Sequence, residues 1–161
     1  MHDALTIYFN GEKFAGLFIA GVGVVAIVAA AVLLRGMRAF SITLIVVALI
    51  EIVIGVGLYL RTGPQVRRLE ALLATDEAGV RVMENARITR VQRNFIPLEI
   101  AEVAIIVVSA LAAFALKNRP AISGVALALL IHAVILLAFD LAAEKRGKVY
   151  WSALRVPFTG I

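Results

Sequence analysis

Five ionisable side chains stand where such groups are costly. Glu51, Glu99, Glu102, His132 and Asp140 all fall inside long apolar stretches of a 161-residue chain. Within a bilayer, groups of this kind are rare and face protein or a water-filled cavity. Counting ~1.5 Å per residue from the centres of the stretches puts Glu51 and His132 within ~2 Å of the midplane, Glu102 ~6 Å and Glu99 ~10 Å to one side, and Asp140 at that same boundary. A carboxyl and an imidazole at one depth on neighbouring helices can share a proton, in a bond that low dielectric strengthens. Glu99 and Glu102, three residues apart, lie on one helix face and extend the line towards the surface. Together they outline half of a proton or cation pathway.

The other half is poor. Only Ser41, Thr43, Ser109 and Ser123 offer polar steps towards the opposite surface, which argues against a complete relay within one subunit. The competing interpretation is structural, with Glu51 hydrogen-bonded, His132 neutral, and Glu99, Glu102 and Asp140 paired with Arg61 or other boundary cations. A metal site built from Glu51, Glu99, Glu102 and His132 fits less well. The helical di-metal pattern carries Glu-x-x-His on one helix, and here the three-residue spacing joins Glu99 to Glu102. Bis-histidine haem ligation would need His2, which belongs at the surface. With no Cys, thiolate metal sites, disulfides and thiol catalysis are excluded. G-x-S-x-G, H-E-x-x-H and P-loop patterns are missing, so no hydrolytic reaction is indicated and no cofactor is expected.

The elements that must position these residues follow from composition. At 62% apolar with a mean hydropathy of +0.98, the chain departs far from the roughly 45–50% of a soluble domain. The predicted spans are 14–34, 40–60, 98–116 and 121–141, each close to the length that crosses a hydrocarbon layer. A cleaved signal peptide ending near Ala29 and Ala31 is the rival for the first, but Glu12-Lys13 is not a basic leader and the apolar run is too long. The second span inserts despite its acid. Its 14 Leu, Ile, Val and Phe residues supply ~6 kcal/mol against roughly 3 for Glu51. The third is weakest, because two acids sit in its first turns, and it is expected to insert together with the fourth. Short turns at Arg35–Arg38 and Lys117–Pro120 imply two antiparallel hairpins, so the fold class is an all-α membrane protein, a single integral membrane domain over 1–161.

Lys and Arg set the expected orientation. One precedes the first span, seven lie in the central segment and four follow the fourth, against four in the two short turns. Both termini and the central segment are therefore predicted to be cytoplasmic. The net charge of +5 is assigned to anionic headgroups rather than nucleic acid, since no nucleic-acid-binding pattern accompanies it.

The central segment, about 64–95, predicts two amphipathic helices parted by Thr75-Asp76-Glu77, a capping sequence, with Thr62-Gly63-Pro64 as a break from the second span. Its second helix sets Val80, Met83, Ile88, Val91 and Phe95 towards one side and Arg81, Glu84, Arg90 and Arg93 mostly elsewhere. Arg81, Arg87, Arg90 and Arg93 are candidates for contact with lipid headgroups or a partner. Asn10 is a predicted N-cap for the first span. The tail, about 142–161, is expected to return along the membrane surface with Tyr150 and Trp151 at headgroup level and Val156 and Phe158 beyond. Small residues at Gly16 and Ala20, Ala26 and Ala30, and Gly124 and Ala128 give faces on which helices pack closely. The expected function is assembly, as a homo-oligomer or as a small subunit with another membrane protein. A proton or cation channel or transporter through the intramembrane residues is the alternative, and a membrane redox or metal protein the third.

Overall fold

The computed structural model describes residues 2–155, and every element in them is an α-helix: α1 (His2–Leu33), α2 (Arg38–Leu73), α3 (Glu77–Ala115) and α4 (Pro120–Arg155). All four are long and apolar enough to cross a membrane, so the chain is a multi-pass helical membrane protein. Val156 and Phe158 lie outside the described residues.

Glycine sets the distance between α1 and α2. A Cβ on Gly55 would lie 2.5 Å from the Gly16 carbonyl oxygen and 2.7 Å from the Ala20 nitrogen, and one on Gly23 would lie 2.7 Å from the Ala48 oxygen. These are backbone atoms, and the absent side chains let the two helices touch main chain to main chain. Without a hydrophobic driving force between helices in lipid, such contact is the main source of association. Gly55→Leu must push the helices apart and is expected to cost about 2 kcal/mol or more. Gly57, with nothing within 4 Å of its would-be Cβ, should accept alanine without loss. Unfolding in detergent under graded denaturant distinguishes the two.

The stripe Gly124, Ala128, His132 turns α4 onto α2. Gly124 meets Phe40, Ala128 joins a small cluster with Phe40, Leu44 and Ala30, and His132 reaches Glu51. Within the membrane, α1, α2 and α4 thus form the packed core. Helix α3 lies against α4, and in its span Ile100, Val103, Val107, Val108, Leu111 and Phe114 are exposed.

Several predicted breaks are absent. Asn10 sits inside α1, Pro64 inside α2 and Pro97 inside α3, and α4 runs straight through the tail to Arg155 instead of folding back. An interior proline costs roughly 3 kcal/mol, which tertiary contacts must offset. They do so in a second cluster beyond the spans, where Leu5, Tyr8 and Phe9 of α1, Leu69 of α2, Val80 and Ile88 of α3, and Tyr150 and Leu154 of α4 pack together. The segments expected to be separate amphipathic pieces are instead continuations of the spanning helices, tied to one another by this cluster. The cap before α3 forms as its sequence indicates, with Asp76 Oδ1 accepting from the Gly79 N–H at 2.8 Å.

Candidate functional site

Glu51 enters the middle of the membrane from α2, one turn before Gly55, where α1 and α2 are closest. His132 comes from α4 two turns after Gly124. Both side chains are almost wholly buried, each residue 3% exposed, and His132 Nδ1 lies 2.7 Å from Glu51 Oε1. One proton occupies that line, carried by the imidazole or by the carboxyl. The outer atoms of the pair, Glu51 Oε2 and His132 Nε2, are buried without a hydrogen-bond partner among the described residues.

The chemistry of this arrangement is that of a relay. Starting from a carboxyl that donates to Nδ1, a proton arriving at Oε2, a shift along the short hydrogen bond and a departure from Nε2 would move one charge past the pair, and rotation of both groups would restore it. Unsatisfied buried acceptors and donors are costly, and both outer atoms of the pair are of this kind.

The remaining intramembrane acids collect on the α3–α4 contact. Glu102 and Asp140 face each other there, an arrangement in which two carboxyls can hold one proton between them. Glu99 lies one turn away and half-buried, with Oε1 unpartnered, as is Oε2 of Glu102. Neither acid has an ion-pair partner among the described residues. On α4, Asp140 follows His132 by about two turns and looks towards α3, whereas His132 looks towards α2. The acids therefore form two stations bridged by one helix. Ser41 is fully buried on the far side of Glu51 and its hydroxyl is also unpartnered.

A third polar group lies beyond the spans, and sequence reasoning missed its centre. Glu84 is 2% exposed, while Met83, placed on the apolar side by its spacing, is 44% exposed. The buried stripe of α3 is Val80, Glu84 and Ile88, four residues apart. Glu84 tolerates this position because Arg87 donates to both of its oxygens, Nε to Oε1 at 2.8 Å and to Oε2 at 3.0 Å, and Nη2 to Oε2 at 2.8 Å. The Tyr150 hydroxyl donates to the same carboxylate at 3.1 Å. Tyr150 stacks on Tyr8 with ring centroids 4.6 Å apart, and the Arg87 guanidinium lies 5.2 Å from the centre of Phe9. The available sequence signal was the three-residue Glu84–Arg87 spacing on the Val80–Ile88 stripe.

The surface candidates divide accordingly. Arg87 and Tyr150 are held inside this network. Trp151 Nε1 donates to Asn85 at 2.9 Å and carries Arg155 over its ring, and Arg81 bonds Glu77. Arg90 and Arg93 are exposed.

Burial and the neighbouring Glu12, which accepts from the Tyr8 hydroxyl at 3.1 Å, push the Tyr8 phenol up to about 12. Burial and Glu84 raise Tyr150 as well. Burial alone would lower Arg87, but its hydrogen bonds and charge interaction with Glu84 outweigh that and raise it above the ordinary guanidinium value. For a phenol whose folded value is raised, the neutral form carries the stability. The contribution is complete below the ordinary tyrosine value of 10.0 and lost as pH climbs towards about 12. Thermal midpoints measured from pH 8 upward should stay level to about 10 and then fall, and Tyr8→Phe should flatten part of that fall.

No protein family, curated protein or solved structure matches this chain.

Proposed function

We propose that this protein passes protons across or into the membrane through Glu51 and His132, with Glu102, Asp140 and Glu99 as the approach from one surface. The observation that carries the proposal is the 2.7 Å bond between Glu51 and His132, buried in the spans, with the two outer atoms of the pair unpartnered. An ionisable pair in hydrocarbon costs several kcal/mol of desolvation, by the order of magnitude that applies to buried ions, and packed leucines would serve stability better. Retaining it is accounted for by a role in moving charge.

Two finer features belong to this proposal. The helices pair as α1 with α2 and α3 with α4, two hairpins. The ends where α1 begins, α2 meets α3 and α4 finishes face the cytoplasm, following the excess of Lys and Arg there. Glu99, Glu102 and Asp140 then open to the cytoplasm, and Ser41 marks the outward side.

The protein reconstituted in liposomes should dissipate an imposed pH gradient, and Glu51→Gln should reduce the rate to that of empty vesicles. Correctly inserted parent protein that leaves the gradient intact would remove the proposal.

A second reading has its own support. The span of α3 packs mainly against α4 and leaves most of its apolar surface uncovered, which suits a protein acting by assembly, as a homo-oligomer or with another membrane subunit. A second subunit against α3 would also enclose Glu99 and Glu102. Native mass spectrometry after gentle extraction tests it, and a monomer with no partner would count against it.

A further inference from the structure

At the end of the molecule opposite the Glu84 network, the two short turns leave a cleft of about 590 Å³ between them, within the roughly 300–1,000 Å³ typical of ligand sites. Its walls are apolar, with Phe40 and Ile42 from α2 and Ala121 and Leu127 from α4, and its mouth carries Arg38 and Lys117. The turns end the spans, so the walls lie in the hydrocarbon layer and the two cations at its boundary.

These cations lack counter-charges. Among the described residues neither Arg38 nor Lys117 has an ion pair, and the chain contains no Asp or Glu from 14 to 50 or from 103 to 139. That stretch covers both turns and the adjoining halves of all four spans, and it also holds Arg35 and Arg119. The Lys117 Nζ lies over the face of Phe114, 5.9 Å from the ring centre. The protein thus concentrates positive charge at one membrane boundary beside an apolar cleft and supplies nothing to neutralise it. At the other end acids are within reach, and Arg81, Arg87 and Lys148 are each paired with a glutamate on the same helix.

We infer that this cleft binds one anionic phospholipid, with the phosphate held by Arg38 and Lys117 and an acyl chain lying along Phe40, Ile42 and Leu127. The charge requires an anion, the depth requires that it sit at the headgroup level, and the apolar walls require that it bring a hydrocarbon chain. A soluble phosphate satisfies only the first of these. The site is independent of the proton relay, since Glu51 and His132 are not among its residues. Filling it would pin the two turns together, and with them the outer ends of α2 and α4.

Native mass spectrometry of the full chain in detergent, titrated with phosphatidylglycerol or phosphatidylcholine, tests the inference. One phosphatidylglycerol should be retained with a preference of roughly tenfold or more over phosphatidylcholine, the order expected for two cations at a membrane surface. Arg38→Gln with Lys117→Gln should abolish the preference. Leu127→Trp, which fills the cleft and leaves the charges alone, should weaken retention of both lipids. Arg67→Gln with Arg68→Gln, exposed at the other end, should leave both unchanged. Equal loss in the Arg67 and Arg68 variant would overturn the inference, as would an unaltered preference in the Arg38 and Lys117 variant. So would protection by glycerol phosphate or inorganic phosphate matching that of the lipid, or a second copy of the chain occupying the cleft in place of lipid.

Discussion

Replacing Glu84 with alanine is expected to lower the unfolding free energy by about 3 kcal/mol, the scale on which breaking a buried ion pair operates. The carboxylate accepts from both Arg87 and Tyr150, and every helix contributes to the cluster around it. Without it the Tyr150 hydroxyl loses its acceptor, and the guanidinium keeps the aromatic faces of Tyr8 and Phe9 and the charge of Glu12. Arg87 is partly exposed, its side chain 27% accessible, so water relieves some of the loss and keeps it at the lower end of the range. Glu84→Gln retains an acceptor for Tyr150 and should cost less. The double variant Glu84→Leu, Arg87→Leu should recover most of the deficit, because well-packed apolar side chains commonly replace a buried pair without penalty. Denaturant titrations of the four proteins form the cycle. A loss below about 1 kcal/mol for Glu84→Ala, the ceiling for exposed pairs, would mean that the network is a surface feature.

The spanning segments were legible in the sequence because hydrocarbon thickness fixes their length. The level of Glu51 with His132 was legible because a helix converts residue number into depth. The Gly124, Ala128, His132 stripe was legible for the same reason, four residues returning a side chain to one face. Beyond the membrane the Asp76 cap was legible, and the packing was not. Pro64 and Asn10 are local signals for a break, and they are overridden by contacts between residues more than sixty positions apart, such as Tyr150 with Glu84. Glu84 was assigned to the polar side because charge normally marks solvent. Its burial depends on Arg87 and Tyr150 converging on it, which no single-helix pattern reports. The facing of Glu102 and Asp140 likewise depends on how α3 is rotated against α4.

Removing His132 and replacing the Glu51 carboxyl with an amide are expected to have opposite signatures. His132→Ala takes away the only hydrogen-bond partner Glu51 has among the described residues and opens a cavity beside it. The expected loss is roughly 3–5 kcal/mol, as for other broken buried pairs. Glu51→Gln is isosteric, and its amide oxygen still accepts from an Nδ1–H at the same position. It should cost about 1 kcal/mol, the net worth of one hydrogen bond. Its effect on function should nevertheless be complete, because an amide cannot take up and release the proton that the relay requires. Glu51→Leu with His132→Leu should be close to the parent in stability and inactive. Stability in detergent and proton flux in liposomes, measured on the same preparations, separate a structural pair from a working one. A Glu51→Gln protein that is both stable and active would leave the pair with only a structural role.

The state of the His132 ring in a lipid bilayer bears on this most directly. Nitrogen NMR of the labelled imidazole should find Nδ1 in a short hydrogen bond that disappears or weakens in Glu51→Gln. Ring signals that are identical in the parent and in Glu51→Gln at every pH would show that the imidazole and the carboxyl hold no proton in common.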